Sequence, residues 1–204
     1  MKDLIVLVAD ADMRSTISGL LLRPQSLGIR PISFDIRVHA QRDAGCRSQG
    51  DSFMRQFHSQ YHHALVMFDR EGCGQDAIAR TDLENDMEQR LSATGWDERA
   101  SCVVFDPELE IWVWSGSPHV ARALGWPDGG VELREHLTQK SYFTDQEQKP
   151  ARPKEAMLEA LKVKRKPHSA SLFQTLAEKV GFRSCSDEAF LKFKMTLQMW
   201  FSPT

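Results

Sequence analysis

Three acids stand directly behind apolar runs. Asp10 follows Leu4-Ile5-Val6-Leu7-Val8-Ala9, Asp69 follows Ala64-Leu65-Val66-Met67-Phe68, and Asp106 follows Ser101-Cys102-Val103-Val104-Phe105. Runs of this kind read as strands buried on both faces. In an open α/β sheet, ligands sit in the crevice outside the carboxyl ends of the strands. Carboxylates at those ends would meet in space despite their separation in sequence. Crowded carboxylates repel until a cation neutralises them, and a hard ion such as Mg²⁺ takes oxygen ligands. Glu71 adds a second carboxylate two residues beyond Asp69, on the same side if the backbone stays extended, and Asp12 does so for Asp10. Taken singly, each acid also reads as a turn or helix-capping residue.

Other groups offer weaker chemistry. His58, His62 and His63 cluster before the strand that ends at Asp69, where histidines are also ordinary surface or helix-end residues. His39, near Arg37 and Arg42, is placed to contact a phosphate. Lys162, Lys164, Arg165 and Lys166 form a basic run that could grip a nucleic-acid backbone. No aromatic residues interleave there for base stacking, so the run also reads as a solvated linker. Cys73 lies beside the acids with nothing nearby to activate it, and no Walker-type or dinucleotide fingerprint is present.

The elements that would position these residues follow from periodicity. Apolar residues at Met13, Ile17, Leu20 and Leu21 predict a helix over 13–22, ended by Pro24. Ile32 to His39 alternates and predicts a half-buried strand. Ala40 to Gly50 is polar and reads as a loop, with a helix from Asp51 to Tyr61. A long acidic amphipathic helix is expected over 77–94. Asp106-Pro107-Glu108 looks like a helix start, with Asp as cap, Pro at the first position and Glu against the dipole; that helix would end near Ser115. The remainder predicts helices only, after a polar connection from Gln146 to Pro153. The last helix is capped by Ser186-Asp187-Glu188.

Strands alternating with helices through the first half imply an α/β fold with a mostly parallel sheet flanked by helices. The chain would then comprise an α/β core over 1–115 and an all-helical C-terminal cap over 116–204, as one compact unit. Its 204 residues, 41% hydrophobic and 26% charged, suit one soluble domain. No run approaches a membrane span, so no membrane partner is expected. Four scattered cysteines without a Cys-x-x-Cys pair argue against structural zinc and disulfides, and for a cytoplasmic location. From Pro150 onward, 10 Lys and Arg face 5 Asp and Glu, whereas the preceding part is acidic. That imbalance suits metal at one part and phosphate or an acidic partner at the other.

Several segments resemble a known group. Val8-Ala9-Asp10 followed by a helix and Leu21-Leu22-Arg23, then Leu65-Val66-Met67-Phe68-Asp69-Arg70-Glu71, then Pro107-Glu108-Leu109-Glu110-Ile111-Trp112, and last Cys185-Ser186-Asp187-Glu188-Ala189-Phe190 with Trp200-Phe201, occur in one order. In that order they are similar to small Toprim-like proteins of the DUF4276 and OLD-nuclease type. The resemblance implies magnesium- or manganese-dependent nuclease chemistry on a phosphodiester, in prokaryotic anti-phage defence or DNA transactions. It would make Asp69, Glu71 and Asp10 metal ligands, with Asp10 also a base, and Glu110 a catalytic acid that holds a second ion or a water. Asp10 stands where the group has Glu, and Glu71 where it has Asp. The same resemblance leaves open a degenerate, non-catalytic subunit that binds protein partners in a defence assembly.

Overall fold

A computed structural model describes residues 1–114, 117–127, 129–144, 148–181 and 185–203. Four parallel strands form the sheet: β1 (Lys2–Val8), β2 (Phe34–Val38), β3 (Tyr61–Asp69) and β4 (Ala100–Phe105), in the order β2-β1-β3-β4. The α/β class holds, and the sheet is wholly parallel. β1 and β3 are central, which is why their sequences are unbroken apolar runs: Leu4 to Val8 and Ala64 to Phe68 are fully buried.

The connecting helices are α1 (Ala11–Leu21), the single turn α2 (Pro24–Leu27), α3 (Arg42–Met54) and α4 (Arg80–Leu91). Pro24 thus opens a turn of helix of its own, as a residue with fixed φ and no N–H can. The stretch expected to be a loop over 40–50 is mostly α3. Past β4, the expected helix start at Pro107 is absent. Glu108 is extended, and only a 3₁₀ turn over Leu109–Trp112 follows. Ser115, where that helix was expected to end, and Gln146, where the polar connection was to begin, lie outside the described residues.

Among its described residues the C-terminal part holds helices and no strand: α5 (Pro118–Ala123), α6 (Val131–Gln139), α7 (Pro153–Val163), α8 (Ala170–Lys179) and α9 (Glu188–Trp200). Asp187 caps α9 as expected, its carboxylate accepting from the Phe190 N–H at 2.9 Å. These helices sit on the α/β core. α8 packs against α1, so closely that a Cβ at Gly19 would stand 2.8 Å from that of Ala177. Arg23 completes the joint by donating to the carbonyls of Ala177 and Val180 at the end of α8, at 2.7 and 2.9 Å. α9 packs on β4, and Phe190 stacks on the buried Trp112. Trp114 is buried too, its indole N–H donating to the Pro153 carbonyl at 3.1 Å.

The two edges of the sheet are treated differently. The outward N–H groups of β4 meet carboxylates from α4: Glu84 accepts from Val104 N and Glu88 from Cys102 N, both at 2.9 Å. Lys192 of α9 bridges the two glutamates at 3.2 and 2.8 Å, and Arg80 binds Glu84 at 2.8 Å. That edge is closed to further pairing.

Candidate metal centre

The carboxyl ends of β1, β3 and β4 converge on a cluster of acids. One oxygen each from Asp69, Glu108 and Glu110 lies within 4.8 Å of the others. Asp69 is the last residue of β3. Glu108 and Glu110 come from the irregular segment after β4, and both are buried. An extended Glu108 followed by a tight turn lets residues two apart aim inward together. A regular helix from Pro107 would have sent them to different faces.

Two further acids support this trio. Asp43, in the first turn of α3, accepts the backbone N–H of Asp69 at 2.8 Å and so fixes the end of β3. Asp10 caps α1, its Oδ1 accepting from the Met13 N–H at 2.9 Å while Oδ2 lies 3.6 Å from Arg42. Positive charge reaches the cluster from the helical half of the chain. Lys154, in the first turn of α7, donates its backbone N–H to Glu108 Oε1 at 3.0 Å and its ammonium to Oε2 at 3.2 Å. His168, just before α8, lies 3.6 Å from both Asp12 and Glu110.

The electrostatics follow from crowding in a dry place. Burial pushes the Asp69 carboxyl well above the ordinary range, and the charges of Asp43, Glu110 and Asp10 push it further. Burial likewise raises Asp12, Asp43 and Glu108. His168 is raised by its contact with Glu110, against the effect of burial. Lys154 is raised despite burial, by Glu110 and Glu108. Two atoms of the cluster are left over: Asp69 Oδ1 and His168 Nε2 are enclosed and have no hydrogen-bond partner among the described residues.

The acids expected at this site are divided by the structure. Asp69 and Glu110 meet. Asp10 lies close enough to act on Asp69 by its charge but stands outside the trio, engaged as a cap. Glu71 is exposed and also outside it; it lies past the end of β3 at Asp69, and its backbone N–H donates to the Pro107 carbonyl at 2.9 Å. Asp106 is exposed and paired with Arg70 at 2.8 Å. Glu108, read from the sequence only as a first-turn helix residue, joins the cluster in the place expected for Glu71. The sequence signal for Glu108 was its i, i+2 spacing from Glu110. Asp43, Lys154 and His168 carry no comparable local signal.

The groups considered for nucleic acid are also spread out. His39 is buried, with Nδ1 accepting from the Gln41 N–H at 3.1 Å and its ring edge-on to Phe53. It is engaged inside the fold, where a phosphate has no access. His63 stacks on Trp200. Lys164 lies over the ring of Trp126 at 4.2 Å, Arg165 is exposed, and Lys166 donates to the Ala123 carbonyl at 2.9 Å. Lys166 also lines an open groove with His119, Arg122, Ser169, Ser171 and Lys179, and no carboxylate is among its described lining residues. All four cysteines are free and buried, and no helix among the described residues is long and apolar enough to cross a membrane.

No family model matches the chain, and neither a curated protein nor a solved structure does, so what the acidic cluster can do rests on its own geometry.

Proposed function

We propose that Asp69, Glu108 and Glu110 hold a divalent cation, Mg²⁺ or Mn²⁺, and that the protein performs Toprim-like phosphodiester hydrolysis on nucleic acid, in prokaryotic anti-phage defence. The observation that carries this reading is the Asp69 carboxylate, which holds an enclosed, unpartnered Oδ1 and has an oxygen within 4.8 Å of two buried glutamates. A buried acceptor without a donor is unfavourable by about 1–3 kcal/mol, and an all-oxygen trio is the donor set a hard cation takes. The bound ion would lower the pKa of a water and stabilise charge on phosphoryl oxygens.

The chain's own residues have separable parts in this reading. Asp43 holds the end of β3, so that the Asp69 carboxylate is aimed before any ligand arrives. Asp10, beside Arg42 at the start of α1, is within reach of the cluster's field and keeps a second oxygen for a proton or a water. Lys154 brings an ammonium next to the acids, where a phosphate would need one. The cationic groove at Lys166 and Lys179 is lined by Pro167 and Ser169, the chain neighbours of His168, and offers the nucleic-acid backbone favourable, salt-dependent electrostatics. Free, buried cysteines suit a cytoplasmic setting.

A second reading has its own observation. Lys154 already neutralises Glu108, and His168 stands between Asp12 and Glu110. Such internal cations suit a non-catalytic subunit of a defence assembly, in which the old site has become a structural network.

Cleavage of plasmid DNA and of DNA and RNA oligonucleotides with Mn²⁺, comparing wild type with Asp69→Ala, separates the two. Cleavage by wild type alone supports the hydrolase. No cleavage, together with no rise in melting temperature on adding Mg²⁺ or Mn²⁺, leaves the structural reading standing.

A further inference from the structure

The edge that β2 presents contrasts with the sealed edge at β4. Ser33 and His39 direct backbone groups at β1: Ser33 O accepts from Leu4 N at 3.1 Å, and His39 N donates to Val8 O at 2.9 Å. Backbone groups in a strand alternate in direction, so Asp35 and Arg37 also face β1. The N–H and C=O groups of Phe34, Ile36 and Val38 therefore point away from the sheet. Among the described residues none of these groups has a partner. No carboxylate among the described residues covers them as Glu84 and Glu88 cover β4.

The residues along this edge are complementary to themselves. The strand reads Phe34-Asp35-Ile36-Arg37-Val38, with an acid and a base placed symmetrically about a central apolar residue; the acid also accepts from Lys2 and Tyr61 of its own chain, so the Arg37 of a second copy would join an existing network. We infer that β2 is the seam of a two-fold symmetric dimer, in which it pairs antiparallel with β2 of a second copy about Ile36. In that register Phe34 faces Val38 of the second copy, and Asp35 faces its Arg37. The open backbone groups belong to Phe34, Ile36 and Val38, which fall at the hydrogen-bonded positions, giving about six inter-chain bonds. Asp35 and Arg37 fall at the non-hydrogen-bonded positions, where side chains approach most closely. Opposite charges set directly across from one another favour the pair, twice per dimer by symmetry. Val38, an apolar residue 38% exposed in the single chain, becomes covered. The two four-stranded sheets join into one. The inference is independent of the metal reading, since β2 contributes nothing to the acidic trio.

Sedimentation of the full chain over about 1–100 µM tests this, alongside Arg37→Asp and the exchange Asp35→Arg with Arg37→Asp. Wild type is expected to form dimers. Arg37→Asp sets like charges opposite one another at both ends of the pair and should raise the dimer dissociation constant about tenfold or more. The double exchange should bring it back toward the wild-type value, and its own far-UV melt shows whether the fold survives the loss of the Asp35 bonds to Lys2 and Tyr61. Arg37 is exposed, so a far-UV melt unchanged by Arg37→Asp shows that the fold is kept. Ile36→Pro supplies a second probe. It removes an N–H that points outward, which an edge strand tolerates, and should leave a monomer. A wild type that stays monomeric across the range, or variants that dimerise as tightly as wild type, would overturn the inference and leave the edge to a foreign strand.

Discussion

Lys154 gives Glu108 both of its donors, the backbone N–H to Oε1 at 3.0 Å and the ammonium to Oε2 at 3.2 Å. One residue therefore has its first-turn N–H capped by Glu108, neutralises that buried carboxylate and occupies a position that a metal ion would contest. The candidate site is held in its present shape by a cation from the far end of the chain.

Lys154→Met separates those parts, because it removes the ammonium and keeps the amide. Without metal, the Glu108 side chain, only 6% exposed, loses the ammonium that compensates it. The variant should lose about 1–3 kcal/mol of stability. Mg²⁺ should then raise its melting temperature more than it raises that of wild type, since ion and ammonium no longer compete. Thermal melts with and without Mg²⁺ check this, and equal responses would remove Lys154 as a competitor.

The pH dependence of stability carries the signature of the acids. Asp69, Asp12, Asp43 and Glu108 are all raised, each chiefly by burial, from ordinary values of 3.8 for Asp and 4.5 for Glu. Their contribution is complete below those ordinary values and is lost as the pH climbs through the raised folded ones. Asp3 and Asp35 act with the opposite sign. Hydrogen bonds from Arg30 and Lys2 hold them low, so their contribution is present above the ordinary value and lost on acidification. Asp69→Asn alters the first set alone. In metal-free buffer the variant should gain on wild type from about pH 4 toward neutrality, as read by denaturant titration at several pH values. Saturating Mg²⁺ should cancel that gain by stabilising wild type.

Asp10 can be a cap, a chemical group, or both, and two substitutions tell these apart. Asparagine caps helices about as well as aspartate, so Asp10→Asn should melt like wild type. Asp10→Ala should lose about 1 kcal/mol. If the charge at Asp10 serves the reaction, Asp10→Asn loses Mn²⁺-dependent cleavage while its melting temperature holds. Full cleavage by Asp10→Asn would leave Asp10 a cap and nothing more.

The central strands were legible because burial on both faces leaves no room for polar residues, and that rule acts locally. α3 was not legible, for a physical reason. Its sheet-facing residues include Gly45, Cys46 and Gly50, small because the helix lies tight against its neighbours. A Cβ at Gly45 would meet the His39 ring at 2.0 Å. Close packing thus produced a glycine-rich polar stretch, which imitates a loop, and Asp43 went unnoticed inside it. The helix expected at Pro107 failed in a different way. Its cap and dipole signals were present, but the inward pull on Glu108 and Glu110 comes from Lys154 and His168, and no local pattern registers that. Asp106 had the right position after a strand, yet Arg70 holds it outward. The convergence of strand ends on one acidic place could be read in advance; the identity of every acid there could not.

The contribution of α7 and the segment before α8 also bears on how the protein is made. Chains emerge from the ribosome amino end first, and folding proceeds in that order. The sheet and all its clustered acids are exported well before Lys154 and His168. Until those two arrive, the carboxylates face one another with water and dissolved ions as their only counter-charge. The nascent half-protein thus leaves open to solvent an acidic cluster that the finished chain covers, and helices that look like late decoration are what closes the pit.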